Sequence, residues 1–174
     1  MHIFLQGQRN IGKSTVIKKT LEVLSERKQL VLGGFFTWNG GNSDPYIYMK
    51  PAGQNGKNEV FRIACFGKEK GGMVCDTDVF ESDGVRLVLD GKCADLIIMD
   101  ELGYLESGAP GFRQAVLDAL VGTIPILGVL RLGTVPWHNE IKRNRSVTLY
   151  DVNEDNRNEL PRKLADEILP LLSR

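Results

Sequence analysis

The feature of this sequence that most constrains its fold is an eight-residue segment near the amino terminus, Gly7–Ser14. It reads G-Q-R-N-I-G-K-S and matches the pattern G-x-x-x-x-G-K-[S/T]. The apolar run His2–Leu5 precedes it, and apolar residues follow at Ile17, Leu21 and Leu24, spaced as on one helix face. The pattern therefore predicts a strand, a glycine-rich turn and a helix in succession. In that context the turn binds phosphate groups.

Each residue type in this loop has a part in phosphate binding. The glycines let the backbone curl so that consecutive N–H groups point at phosphate oxygens, and the following helix adds its positive amino end. Lys13 supplies a point charge for the β- and γ-phosphates, and the Ser14 hydroxyl can ligate magnesium. The predicted nucleotide-binding residues of the loop are Gly7, Gln8, Arg9, Asn10, Ile11, Gly12, Lys13, Ser14 and Thr15.

A second candidate element is the apolar run Leu96–Met99, which ends on Asp100 and Glu101. Acidic residues at the carboxyl end of a buried parallel strand face the crevice where ligands bind in such sheets. Asp100 can hold the magnesium shell, and Glu101 can deprotonate a water that attacks the γ-phosphate. The adjacent glutamate favours a hydrolase over a switch GTPase, in which a glutamine elsewhere positions the water.

Arginines supply candidate groups for stabilising charge on the transferred phosphoryl group. Arg9 lies in the loop, Arg131 follows an apolar strand, and Arg143 and Arg145 precede the last strand. The segment between the last two strands can fold over the phosphates, where a guanidinium neutralises developing charge. Solvated surface arginine is the alternative for each of them. The predicted catalytic residues are Glu101, Lys13, Arg131 and Arg145.

The segment Asp151–Asn158 follows the last strand at the mouth of the sheet. Amide and guanidinium groups there could hydrogen-bond a nucleobase or stack on it. Helix capping is the competing interpretation of its asparagines. Asn156 and Arg157 are predicted to contact the base.

The order of elements along the chain predicts the fold class. Apolar strands that alternate with helical patterns are typical of an α/β fold, a mostly parallel sheet with helices on both faces. Between about residues 38 and 75 the strands Tyr46–Met49 and Val60–Phe66 predict a short antiparallel hairpin insertion. We expect one domain over residues 1–174. The other predicted strands are Leu30–Phe36, Ile124–Leu130 and Val147–Val152. The other predicted helices are Thr77–Leu89, a helix whose apolar face is Phe112, Val116, Ala119 and Leu120, and Leu160–Leu172.

Composition argues against several partners. Lys plus Arg equals Asp plus Glu at 22 each, so the basic excess of a nucleic-acid-binding surface is not expected. No run of 18 apolar residues is present, which argues against a membrane span. The three cysteines match neither a zinc site nor a disulfide framework and fit a reducing cytoplasm. Whether a protein partner exists stays open.

The sequence resembles the small nucleoside-triphosphatases first described from thermophiles, which in animals are called cancer-related nucleoside-triphosphatase. The similarity lies in the loop Gly7–Thr15, in Gly33–Thr37, in Asp100–Glu106 and in Glu140–Leu160. The resemblance implies a three-layer P-loop NTPase fold. It also implies a magnesium-dependent enzyme that hydrolyses ATP, GTP and other nucleoside triphosphates with loose base preference.

The resemblance also assigns roles to residues. Lys13 and Ser14 become phosphate and metal residues, Asp100 the metal-side acid and Glu101 the water-activating base. The chain departs from the family pattern at Arg9 and Asn10, where Pro and Gly are usual, in residues 38–75, which lack the usual Arg-x-Gly, and in residues 129–136, which are lengthened.

Two alternative functions remain open from the sequence. One is a small-molecule or polynucleotide kinase of the same fold, for which residues 44–72 could supply an acceptor site. The other is a non-catalytic nucleotide-sensing module.

Overall fold

The computed structural model describes residues 1–54, 56, 58–67 and 72–172. The strands in that part of the chain are β1 His2–Gln6, β2 Leu32–Asn39, β3 Tyr46–Pro51, β4 Phe61–Phe66, β5 Met73–Cys75, β6 Leu96–Leu102, β7 Ile126–Leu130 and β8 Val147–Asp151. They form one eight-stranded sheet in the order β5-β4-β3-β2-β6-β7-β1-β8.

Six α-helices connect these strands in the described residues: α1 Lys13–Ser25, α2 Thr77–Val79, α3 Val85–Asp90, α4 Pro110–Val121, α5 His138–Arg143 and α6 Leu160–Ile168. A π-helical turn, Phe80–Gly84, joins α2 to α3. Short 3-10 turns lie at Gly91–Cys93, Leu105–Gly108 and Leu169–Leu172.

Strands β2, β6, β7, β1 and β8 pair in parallel and form the parallel half of the sheet. Every residue of β7 is buried, as is every residue of β6 except Glu101. Helices α1 and α6 cover one face, where Ile17 and Leu164 pack against Ile98. Helices α3 and α4 cover the other, where Phe112 joins the cluster around Met99. The predicted three-layer α/β fold is confirmed.

Strands β3, β4 and β5 form an antiparallel extension of the same sheet, joined to the parallel half by antiparallel pairing of β3 with β2. The predicted hairpin is therefore continuous with the main sheet and carries a third strand. On one face Met49 and Ile63 belong to the cluster under α3 and α4. On the other face Trp38 and Tyr48 stack at a centroid distance of 5.3 Å.

Element bounds differ from the sequence prediction where local packing intervenes. The helix expected from Thr77 contains a π-helical turn at Gly84, and a Cβ there would lie 2.8 Å from the Phe112 ring. The closing helix ends its α-helical part at Ile168 and continues as a 3-10 turn. These differences leave the order of elements unchanged.

The carboxyl ends of β1, β2, β6 and β7 meet at one edge of the sheet, because these strands are parallel. We call it the carboxyl edge. Ligands bind outside this edge in open α/β sheets. Among the described residues, no helix has the length and apolar character that a membrane span requires.

Candidate nucleotide-binding site

The loop between β1 and α1 takes a conformation that its residue types permit. Gly7 has φ 151°, and a Cβ on it would lie 2.5 Å from the Val152 carbonyl oxygen. Gly12 has φ 109° and Asn10 has φ 63°. Asparagine is among the residues that adopt left-handed φ most readily. The loop therefore keeps this conformation with Asn10 at a position where the resembled family usually has glycine.

Lys13 lies inside this loop and is 8% exposed. Its Nζ donates to the carbonyl oxygens of Gly7 at 3.0 Å and of Gln8 at 2.9 Å. Burial lowers the pKa of the ammonium, and the carboxylates of Glu101 and Asp100 act against that lowering. The loop thus wraps the Lys13 ammonium, which two backbone carbonyls orient.

Ser14 connects the loop to the end of β6. Its Oγ donates to Asp100 Oδ1 at 3.1 Å. Asp100 is 2% exposed, and burial raises its pKa to about 6 although the Ser14 hydrogen bond acts in the other direction. The predicted metal pair is therefore in direct contact.

Glu101 stands beside this pair and faces the opening. Its backbone N–H donates to Thr37 Oγ1 at 3.1 Å, and the Asp100–Glu101 peptide bond is cis. Its Oε1 lies 3.5 Å from Arg131 Nη1, and the guanidinium of Arg131 covers the Tyr104 ring at 4.7 Å. The side chains of Glu101 and Arg131 are 30% and 39% exposed, so solvent screens the pair.

Glu106 fixes the turn that follows β6. It is 2% exposed and accepts the Gly103 N–H at 3.0 Å, and burial raises its pKa to about 7. The Gly103 carbonyl accepts from Trp137 Nε1 at 3.0 Å. These two hydrogen bonds hold residues 103–106 against the end of the sheet.

A cavity of about 570 Å³ opens at the carboxyl edge and joins these groups. Its polar lining includes Gly7, Arg9, Asn10, Gly12, Lys13, Ser14, Thr15, Asp100 and Glu101. Its apolar lining includes Trp38, Ile47, Ile63, Phe66, Met73, Tyr104 and Leu105. The arrangement can hold an anion at the loop and an apolar group against the apolar lining.

Comparisons with known proteins agree with this geometry. The model of a protein family described as NTPase matches residues 2–165. The chain belongs to this NTPase family.

Relatives and solved structures match over nearly their whole length. The nucleoside-triphosphatase THEP1 of Thermofilum pendens is 31% identical, covering 99% of this chain and 98% of the relative. The cancer-related nucleoside-triphosphatase homolog of Mus musculus is 31% identical, covering 91% of this chain and 92% of the relative. The solution structure of a human cancer-related nucleoside triphosphatase has a TM-score of 0.77 at 26% identity, over 99% of this chain and 98% of that one. The predicted resemblance and the predicted enzyme class are confirmed.

Arg145 of this NTPase lies at the edge opposite the cavity. It precedes β8, whose first residues align with the start of β1, and Ser146 accepts the His2 N–H at 2.7 Å. The five residues of β8 separate it from the carboxyl edge, a distance of about 16 Å at 3.3 Å per residue. The structure brings Arg131 to the candidate site and leaves Arg145 away from it.

Asn156 and Arg157 lie in the segment after β8, next to the phosphate loop. Asn156 donates from Nδ2 to the Asp151 carbonyl at 2.7 Å and accepts the Asn153 N–H at 3.0 Å. Arg157 Nη1 lies 3.4 Å from the Ile11 carbonyl oxygen. Asn156 therefore shapes its own turn, while Arg157 is placed beside the loop. Their contact with a base stays a prediction.

Thr37 and Tyr104 line the cavity although the sequence prediction omitted them from the site. Thr37 lies near the end of β2, and a strand ending next to β6 is a signal that could have identified it. Tyr104 is assigned to the site from its contacts with Arg131 and Met73 in the structure. No pattern in the sequence indicates those contacts.

Proposed function

We propose that this NTPase is a magnesium-dependent nucleoside-triphosphate phosphohydrolase that converts NTP and water to NDP and phosphate. ATP and GTP are among its substrates, and its base preference is loose. The observation that carries the proposal is the meeting of Lys13, Ser14, Asp100 and Glu101 around one cavity at the carboxyl edge. The names of the relatives support the same reaction class.

The residues at the loop fit a magnesium ion. Ser14 Oγ and Asp100 Oδ1, 3.1 Å apart, are two hard oxygen donors. Magnesium in phosphate sites takes one or two protein oxygens and completes its shell with phosphates and water. Within the described ranges no group of three or more His, Cys, Asp or Glu gathers, a set that zinc would need. When bound, magnesium would neutralise charge on the β- and γ-phosphate oxygens.

Lys13 and the loop backbone hold the triphosphate in this proposal. The ammonium now contacts the Gly7 and Gln8 carbonyls, and phosphate oxygens are stronger partners for it because they are charged. The loop N–H groups and the amino end of α1 bind the same oxygens. The γ-phosphorus is thereby placed next to the acidic pair.

Glu101 accepts the proton of the attacking water. Its backbone is held by Thr37 and its carboxylate faces Arg131 at 3.5 Å. A carboxylate so placed orients the water and removes its proton as the bond to phosphorus forms. Arg131, beside it, can stabilise the charge on the equatorial oxygens.

The geometry around Asn156 and Arg157, the residues predicted to contact the nucleobase, supports a loose preference among bases. The Asn156 amide donates to the Asp151 carbonyl and accepts the Asn153 N–H, so fewer of its own hydrogen-bonding groups are available to read the edge of a base. Arg157 can stack on the face of any base, because every base offers a π-face. We also place the protein in the cytoplasm, for which its free cysteines Cys65, Cys75 and Cys93 offer support.

Phosphate release from a panel of nucleoside tri- and diphosphates tests the proposal. With magnesium, all common triphosphates should release phosphate at rates within about tenfold of each other, and chelation should stop release. Asp100→Asn should raise the magnesium concentration required. Asp95→Asn, at the opposite end of β6 where its carboxylate accepts the Val31 N–H, is the matched control. Release that continues in chelator, or that one nucleotide alone supports, would contradict the proposal.

A further inference from the structure

Part of the cavity has an apolar lining that comes mainly from the antiparallel extension. We call this region the distal arm, lined by Ile47, Ile63, Phe66, Met73, Tyr104 and Leu105. Ile63 is 1% exposed, whereas Phe66 and Tyr104 are 39% and 40% exposed. The arm therefore has a buried aliphatic floor and an aromatic rim.

Successive side-chain contacts connect Glu101, the candidate general base, to the mouth of this arm. Glu101 Oε1 lies 3.5 Å from Arg131 Nη1, and Arg131 covers the Tyr104 ring at 4.7 Å. The Tyr104 hydroxyl then donates to Met73 Sδ at 3.4 Å. Two residues of the arm, Tyr104 and Met73, are therefore connected through Arg131 to the Glu101 carboxylate, the proposed proton acceptor.

The residues predicted to contact the donor base, Asn156 and Arg157, do not line this arm. The segment after β8 packs against the phosphate loop, through Val152 at Gly7 and Arg157 at Ile11. None of these β8–α6 residues lines the distal arm. Neither binding of the donor triphosphate nor attack by a single water requires the arm.

The lining of the arm defines what it can hold. Aliphatic, thioether and aromatic side chains favour a planar apolar group. Thr37 and the buried Glu106 also line the cavity and supply hydrogen-bonding groups next to Glu101. A ligand with one aromatic part and one hydroxyl end matches both surfaces.

We propose that the distal arm binds a hydroxyl compound with a planar aromatic part, of the class of nucleosides, and that its hydroxyl replaces water as acceptor of the γ-phosphoryl group. This inference rests on the proposed function, since it uses the same donor site and base. The acceptor oxygen forms a bond to the γ-phosphorus, and the bond from that phosphorus to the β–γ bridging oxygen breaks. NDP leaves with the electron pair, and the hydroxyl proton passes to the Glu101 carboxylate.

The test uses ATP radiolabelled at the γ-phosphate, with adenosine, guanosine, cytidine, uridine or thymidine as probe. At least one nucleoside should become a labelled nucleoside monophosphate, with less label released as free phosphate. Calorimetry with the non-hydrolysable magnesium complex of β,γ-imido-ATP should show that the same nucleoside binds. Phe66→Ala should weaken that binding roughly tenfold, the usual worth of base stacking on an aromatic ring.

Met73→Trp and Val74→Trp form a matched pair on β5. Met73 lines the arm, while its neighbour Val74 is 62% exposed and does not. Met73→Trp should weaken nucleoside binding by at least about tenfold, and Val74→Trp should leave it unchanged. If Met73→Trp weakens the imido-ATP complex equally, the arm holds the donor base and the inference is overturned.

The outcomes separate this inference from the proposed function. Phosphate release without nucleoside binding, or nucleoside binding without label transfer, overturns the acceptor site and leaves the hydrolase standing. If ATP yields neither phosphate nor labelled nucleoside, the shared chemistry of both proposals is overturned.

Discussion

The parallel half and the antiparallel extension meet at the same cavity but are built differently. In the parallel half β7 is buried at every position and β6 at every position except Glu101. In the extension, buried Met49 is followed by exposed Lys50, so only one face is covered. The parallel half therefore fixes backbone positions from both faces, whereas the extension contributes the shapes of its side chains.

The two regions therefore contribute different groups to the site. Lys13 and Ser14 follow the parallel strand β1, and Asp100 and Glu101 lie in the parallel strand β6, so neighbouring strands on both sides set their positions. Groups that bind phosphate, metal and a proton need that accuracy. The lining of the distal arm comes mainly from the extension. We expect changes in the parallel half to alter chemistry and changes in the extension to alter ligand choice.

The largest expected effect is on catalysis by Glu101. Glu101→Gln keeps the shape of the side chain but cannot accept a proton, so single-turnover hydrolysis of ATP should fall roughly 10²–10⁴-fold. Equilibrium binding should barely change, because the lost interaction is made mainly in the transition state. Glu140→Gln, on the exposed surface of α5, is the control. A wild-type rate for Glu101→Gln would show that another residue is the base.

Lys13→Ala should have the next largest effect, on binding. It removes the cation that the loop holds between two carbonyls. Charged hydrogen bonds contribute about 1.5–3 kcal/mol, so affinity for imido-ATP should fall roughly 10–100-fold. Calorimetric titration measures this directly. Lys19→Ala, exposed on α1, should bind normally, and an affinity for Lys13→Ala within a factor of about three would rule out the phosphate-loop assignment.

The pKa of Asp100 predicts an intermediate effect. A metal ligand must be ionised, and burial raises this pKa to about 6. Magnesium-dependent binding should therefore be constant above about pH 7 and weaken by up to about tenfold per unit below pH 6. Calorimetry of the magnesium and imido-ATP complex across this range measures the slope. Asp100→Asn should bind weakly at all pH values, without this slope.

The same pKa predicts the opposite sign for the ligand-free protein. A carboxyl whose pKa is raised in the folded state holds its proton more tightly there than in the unfolded chain. The stability of the fold should therefore fall as pH rises from the ordinary value of 3.8 towards about 6. Glu106, with a pKa of about 7, contributes with the same sign. Thermal melts in which Asp100→Asn keeps the wild-type slope between these values would contradict the assignment of this pKa to Asp100.

The sequence predicted the parallel half well because its signals are local. In the loop Gly7–Ser14 and in the apolar run before Asp100, the residues that mark the end of a strand and the residues that carry the chemistry are consecutive. The position of Arg145 followed from the same information, since a residue just before a parallel strand lies at the amino edge. The segment between the last two strands is predicted to fold over the phosphates, but the direction of β8 places Arg145, at the end of that segment, at the amino edge.

The extension was harder to predict, for physical reasons. Strand β5 has three residues and is defined by pairing with β4, so its own sequence carries little signal. The distal arm depends on Met73 meeting Tyr104 across thirty-one positions of chain. Such contacts arise from tertiary packing, which periodicity does not encode.

The smallest expected effect concerns one residue type placed in both regions. Val129 in β7 is fully buried, whereas Val74 in β5 is 62% exposed. Val129→Ala removes about two methyl groups at about 0.8 kcal/mol each and leaves a cavity, for a total of about 2–3 kcal/mol. That loss corresponds to a fall in melting temperature of about 4–12 °C for a chain of this size. Val74→Ala should change stability by no more than about 0.5 kcal/mol, or about 2 °C. Both melts should be recorded without ligand, with phosphate release measured in parallel. A loss at Val74 as large as that at Val129 would mean that the outer face of the extension is covered, and that the two regions are built alike.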